Sequence, residues 1–258
     1  MSDKLVNLTI ENHVGIVKLN NPPVNVLNKD LLEQLGELID QIKDNNQIKV
    51  VLIIGEGSAF AAGADIKAMP ALKAVEGEKL SLRGQEVFNK IESLEKVSIA
   101  VINGVALGGG LELTLACDMR LISEKAKIGQ PEINLGIIPG YGATQRLTRL
   151  IGKPKTKEII LTGDNLTAQE ALQLGIVNRV VAPEDLFKVA MELAEKIASK
   201  GQVAVKAIKK SIDEGFEQDL FTALRTEAKY FGLVCNSEDK TEGVIAFMEK
   251  RKANFQDK

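Results

Sequence analysis

Glu112 and Glu132 stand in two glycine-rich stretches, G-V-A-L-G-G-G-L-E-L at 104–113 and G-Q-P-E-I-N-L-G-I-I-P-G-Y-G at 129–142. Glycines lack a Cβ, so peptide N–H groups there can approach a ligand closely. A pair of carboxyls can handle a proton and a water molecule. These residue types together point to a site that stabilises an oxyanion and adds or removes water. The glycines at 108–110 follow an apolar run and read as the start of a helix. Amides in a first helical turn lack intrahelical partners and carry partial positive charge. The Gly109 N–H is therefore a candidate donor to a substrate oxygen as it becomes negative. The plainer reading is a tight strand-to-helix turn with Glu112 as a first-turn carboxylate.

A second small-residue stretch, S-A-F-A-A-G-A-D-I-K at 58–67, also follows an apolar run. Its small side chains leave the main chain as the functional surface, and the Ala62 N–H is a candidate second donor. The plainer reading is a close-packed loop with Asp65 capping a short helix. Around Glu132, Pro131 disfavours helical backbone at Gln130. Glu132 then starts an irregular segment marked by Gly136, Gly140 and Gly142. A loop glutamate is ordinarily exposed, yet Ile133, Leu135, Ile137 and Ile138 surround this one. A partly buried carboxyl there has a raised pKa and can act as an acid.

Other chemistries lack their residues. The chain has one histidine, His13, in an E-N-H-V-G turn, so a Ser-His-Asp triad and a His/Cys zinc site are both disfavoured. No metal site is expected. The spacing of the 104–113 glycines is not the G-x-G-x-x-G of a dinucleotide fingerprint. A net charge of −2 gives no electrostatic case for nucleic acid. Two distant cysteines, Cys117 and Cys235, and an N-terminus without an apolar core suggest a cytoplasmic protein. The apolar stretch at 97–117 is broken by Asn103, several glycines and Glu112, which argues against a membrane span.

These segments need a scaffold. Residues 5–10 and 14–19 read as strands around a turn, and Leu31, Leu32, Leu35, Leu38, Ile39 and Ile42 mark an amphipathic helix at 29–43. Residues 50–54, 98–102 and 119–123 read as buried strands, with a loop at 55–66 and a helix at 78–94. Beyond 143 the pattern is helical, except for a strand at 178–181. One helix is expected to open at Pro183, and others to span about 202–213 and 217–234. Strands alternating with helices predict an α/β fold around a largely parallel sheet.

The three segments, taken in order, resemble the crotonase family, and enoyl-CoA hydratases within it. The stretches A-F-A-A-G-A-D-I-K, A-L-G-G-G-L-E-L and G-Q-P-E-I-N-L-G-I-I-P-G carry the likeness. T-Q-R-L-T-R-L-I-G (144–152), L-T-G-D-N-L-T-A-Q-E-A (161–171) and F-M-E-K-R-K-A-N-F (247–255) extend it over nearly the whole chain. The resemblance implies a spiral of ββα turns over residues 1–195 and a helical trimerisation region over 196–258. It implies hydration of an enoyl-CoA in fatty-acid β-oxidation or related metabolism, with no cofactor beyond the CoA of the substrate. Ala62 and Gly109 would supply the oxyanion amides, and Glu112 and Glu132 the carboxyls. Substrate would lie against Ala61, Ala62, Gly63, Ala64, Asp65, Ile66, Gly108, Gly109, Pro131 and Gly140. Phe231 and Lys250 of a neighbouring subunit, in a trimer or dimer of trimers, would close over the nucleotide. A core position for Phe231 and a solvated charge for Lys250 are the plainer readings. Tyr141 departs from the small residue common in hydratases and is expected to narrow the acyl pocket. A specialised hydratase, an isomerase, and an acyl-CoA-binding protein without turnover are the competing readings.

Overall fold

Alternate strands of the chain enter two different β-sheets, and this weave sets where the site can form. The structure, a computed structural model, describes residues 4–63 and 65–258, the side chains of 66–68 excepted. The larger sheet contains β1 (Val6–Glu11), β2 (Val14–Leu19), β3 (Val50–Gly55), β5 (Val97–Ile102), β7 (Met119–Ser123) and β10 (Arg179–Val181), in the order β1-β2-β3-β5-β7-β10. The smaller holds β4 (Ala59–Ala62), β6 (Val105–Leu107), β8 (Lys127–Gly129) and β9 (Asn165–Thr167), in the order β4-β6-β8-β9. Each of β3, β5 and β7 is followed directly by a strand of the small sheet. This is the repeating turn of a crotonase-type spiral. Only β1–β2 and β8–β9 pair antiparallel among the described residues.

The inner strands of the large sheet are buried on both faces, as their continuous apolar runs require. Val14, Ile16, Val50, Leu52, Ile99 and Leu121 pack with α7 (Leu186–Ala198) through Leu186, Ala190, Met191 and Ala194. Val17, Leu19, Val51, Ile53, Ala100, Ile102 and Ile122 face the opposite way. There they meet α1 (Lys29–Asp44), α2 (Ala74–Glu92) and the small sheet. Helix α1 begins where the Asn28 side chain accepts the Leu31 N–H at 2.9 Å, an N-cap of the expected kind. Its buried stripe is Leu31, Leu32, Leu35, Ile39 and Ile42.

Several expectations need correction. The stretch 55–66 is not all loop, because Ala59–Ala62 forms β4 and pairs with β6. β6, β8 and β9 are three-residue strands built partly of Ala, Gly, Lys and Asn. They are too short and too poor in β-branched residues to announce themselves. Helix α7 opens at Leu186; Pro183 lies in the turn before it, where the Asp185 N–H donates to Ala182 O at 3.1 Å. Past α8 (Gln202–Phe216) and α9 (Leu220–Cys235) lies a further helix, α10 (Glu238–Met248). Its Ser237 cap, accepting the Lys240 N–H, was there to be read. His13 has φ of 65° in the β1–β2 turn, as a turn residue should. No described helix is long and apolar enough to cross a membrane.

Candidate active site

The small sheet ends in a common edge. Ala62 pairs with Leu107, and Leu107 with Gly129. The chain leaves these three strand ends at Gly63, at Gly108–Glu112 and at Gln130–Glu132. A parallel sheet whose strands stop in register thus delivers three distant sequence segments to one place. A cavity of about 1380 Å³ opens there. Of the predicted substrate-site residues, Ala62, Gly63, Asp65, Gly108, Gly109, Glu112, Pro131, Glu132 and Gly140 line it. Apolar walls come from Val26, Met69, Leu72, Leu80, Leu135, Ile137 and Ile138.

Glu112 sits on α3 (Gly109–Leu115), a short helix with every residue buried. The residue is only 2% exposed. Oε1 accepts two main-chain N–H groups, from Tyr141 at 2.8 Å and Ala143 at 2.9 Å. Burial pushes its pKa up, while those amides and the nearby Arg146 charge pull it back. Glu132 lies on a 3-10 turn, Pro131–Leu135, and is half-buried. Burial, reinforced by the Glu112 charge, raises its pKa to about 7. Burial raises both carboxyls; at Glu112 the amides work against that shift and favour the carboxylate, and Glu132 retains its proton near neutrality.

Gly108 makes this arrangement sterically possible. Its φ is 54°, and a Cβ there would lie 2.7 Å from Glu132 Oε1. Gly110 allows a different contact, since a Cβ would fall 1.9 Å from the Ala61 carbonyl, where α3 presses on β4. The Gly109 N–H donates to no acceptor among the described residues and borders the cavity. It is therefore available to a substrate oxygen that becomes negative.

The Ala62 amide is not. Its N–H donates to Val24 O at 2.9 Å, and the Gly63 N–H to Leu107 O at 2.8 Å. The 24–27 segment runs beside the end of β4 and takes up that amide, so the predicted donor role of Ala62 is withdrawn. Ala61 is fully buried in β4 and does not line the cavity. Ala64 lies outside the described residues, as does the side chain of Ile66. Phe231 is 72% exposed on α9 rather than in the core, and Lys250 is exposed after α10. Neither lines the cavity of this subunit.

The sequence did not single out Gln130 as a functional residue. It is fully buried, and with its side-chain amide turned to satisfy both partners it donates to both Glu132 oxygens at 3.0 Å. Its place two residues before Glu132, across Pro131, was the available signal. The amides of Tyr141 and Ala143, which hold Glu112, had no signal, because main-chain donors carry no residue type. The Tyr141 ring is buried at the cavity wall, edge-on to Phe88 with centroids 5.6 Å apart. It occupies the space left by Gly84, where a Cβ would lie 2.2 Å from Tyr141 Cδ1.

Residues 9–258 match the family described as enoyl-CoA hydratase/isomerase. The chain is 44% identical over 249 residues to a short-chain-enoyl-CoA hydratase of Clostridium acetobutylicum, spanning 96% of this chain and 95% of that protein. It is 43% identical over 257 residues to a crotonyl-CoA hydratase of Syntrophomonas wolfei, spanning 99% of each. Among solved structures, an enoyl-CoA hydratase of Bacillus anthracis superimposes with a TM-score of 0.95 at 40% identity, covering 99% of this chain and 100% of that one.

Proposed function

The chain belongs to the enoyl-CoA hydratase/isomerase family, and we infer that it is a hydro-lyase adding water reversibly and syn to a trans-2-enoyl-CoA to give a 3-hydroxyacyl-CoA. The observation that carries this reading is the unequal pair of carboxyls on one cavity. Glu112 Oε1 is fixed by two amides, and Glu132 keeps a proton up to about pH 7.

In the forward direction Glu112 takes a proton from water as the water oxygen bonds to C3. The C2–C3 π electrons move toward the thioester, and its oxygen becomes negative. The Gly109 N–H meets that charge where it develops and so favours the transition state. The enolate then collapses and C2 takes the Glu132 proton. Glu112 ends protonated and Glu132 ionised, and proton exchange with solvent restores the pair. Gln130 suits this alternation, since a primary amide can donate to a carboxylate or accept from a carboxylic acid. No redox step occurs, so the proposal requires no cofactor, and CoA enters as part of the substrate.

The proposed substrate class is a short acyl chain. Tyr141 fills the wall between Gly84 and Gly109, where a smaller residue would leave room, and two relatives are named for short-chain substrates. We further propose a homo-oligomer, a trimer or dimer of trimers, built through residues 196–258. Helix α9 buries no residue within the subunit, and Phe216, Leu220, Phe221, Phe231 and Phe247 are each at least 65% exposed. Phe231 and Lys250 of one subunit would then meet the nucleotide bound by another. A cytoplasmic location belongs to the same proposal, and the exposed free thiol of Cys235 suits a reducing compartment.

The test is loss of enoyl-thioester absorbance with crotonyl-CoA and longer enoyl-CoAs, each with and without NAD. NAD-independent hydration, fastest with crotonyl-CoA, is expected. Binding without turnover, migration of the double bond without hydration, or dependence on NAD would overturn the assignment.

A further inference from the structure

Glu112 is held by main-chain amides, which raises the question of what holds those amides. The Tyr141 N–H belongs to the same peptide unit as the Gly140 carbonyl. In a planar trans peptide these two groups point in opposite directions. On one side the N–H donates to Glu112 Oε1 at 2.8 Å. On the other, the Gly140 oxygen accepts two side-chain donors of α2: Ser81 Oγ at 2.5 Å and Gln85 Nε2 at 2.9 Å. Gln85 Nε2 also donates to Ser81 Oγ at 2.9 Å, so the two side chains form one unit.

The face of α2 is shaped for this contact. Ser81 and Gln85 are one helical turn apart and project from the same side. Gly84 lies between them, and a Cβ there would sit 2.2 Å from Tyr141 Cδ1. Two polar side chains thus take the Gly140 carbonyl while a missing one admits the Tyr141 ring. A third donor braces the next carbonyl: Arg146 Nη1 reaches Tyr141 O at 3.1 Å, and its guanidinium is anchored to Glu92 and Asn89 of α2. Both carbonyls are held by side-chain donors that themselves border the cavity, while the amides of Tyr141 and Ala143 converge on Glu112.

We propose that Ser81 and Gln85 are positioning residues for Glu112, acting through the Gly140–Tyr141 peptide. Donors on the carbonyl fix the peptide plane and polarise its N–H, which strengthens the bond to the carboxylate. The pair therefore aims Glu112 and favours its ionised form, the form a base requires. The inference rests on Glu112 being the base of the proposed hydration.

The variants are Ser81→Ala, Gln85→Met, the double variant, and Ser81→Thr, which keeps the hydroxyl. The charged and titratable groups facing Glu112 are Glu132 from the 3-10 turn, Arg146 from α4 (Ala143–Ile151) and the Tyr141 phenol. None is altered in these variants. Two readouts are taken from each folded variant: the pH dependence of kcat and KM with crotonyl-CoA, and the titration of the Glu112 side-chain carboxyl by ¹³C NMR without substrate. In the double variant kcat should fall about tenfold with KM within about twofold. The acidic limb and the Glu112 titration should both move to higher pH, and Ser81→Thr should behave as wild type.

An unmoved Glu112 titration would overturn the inference. So would a rise in KM alone, which would make the pair a substrate contact. Absence of hydration by the wild-type protein would instead overturn the functional reading, and the carboxyl titration would still decide the relay.

Discussion

Replacing Gly108 by Ala probes the site at its tightest point. Two costs follow from the structure. The residue has φ of 54° and ψ of −124°, a conformation that side chains avoid, costing about 1–3 kcal/mol. The new Cβ would also stand 2.7 Å from Glu132 Oε1, well inside the ~3.5 Å of favourable carbon contact. Glu132 must move away, and a misplacement of about 1 Å costs roughly 10²-fold in rate. The expected result is a kcat with crotonyl-CoA lower by about 10–10²-fold, together with a lower Tm, about 2–4 °C per kcal/mol for a chain of this size. Gly57→Ala separates the two costs. Gly57 has φ of 80°, but a Cβ there would meet nothing within 4 Å. It should lower Tm while leaving kcat unchanged. Wild-type kcat in Gly108→Ala, or an equal loss of activity in Gly57→Ala, would show that Glu132 is not displaced by the new Cβ.

Glu112→Gln and Glu132→Gln should each lower kcat by at least ~10²-fold, as measured by enoyl-thioester absorbance. The double variant should lose far less than the product of the two, because the carboxyls act as a unit; a multiplicative loss would show independent roles. The hydration rate should decline as pH rises through about 7, where Glu132 loses the proton it must donate. A pH–rate profile of Glu132→Gln should lack that limb, and its survival would assign it to another group. Sedimentation at micromolar protein should show a trimer or hexamer; a lone species of 27.9 kDa would leave the exposed faces of α9 and α10 unexplained.

The parts of the fold that could be read were those with a strong period. Leu31 through Ile42 carry a helical stripe, and 50–54 an unbroken apolar run, so α1 and β3 were legible. The small sheet was not. Its strands are three or four residues long, and what defines them is pairing between Ala62, Leu107 and Gly129, partners far apart in sequence. That hidden sheet decides the site, because its edge brings Glu112 and Glu132 to one cavity. The motifs named two glutamates that the fold brings to one cavity, and one amide that is already taken. Composition marks 61–63 as open backbone, yet it cannot show that Val24 already accepts the Ala62 N–H. Main-chain donors must be accounted for in three dimensions. Tyr141 illustrates the same limit: its bulk was visible, but not that Gly84 had been cut away to receive it.

The most direct test of a two-glutamate, amide-assisted hydration is a single reaction in deuterium oxide. EDTA-treated protein is given crotonyl-CoA with no nucleotide, and the product is read by NMR. The expected product is 3-hydroxybutyryl-CoA, formed as fast as by untreated protein in the same solvent, with one deuterium at C2 on the same face as the new hydroxyl. The two-glutamate mechanism is contradicted if no product forms, if a divalent metal or NAD must be restored, or if the deuterium enters from the opposite face.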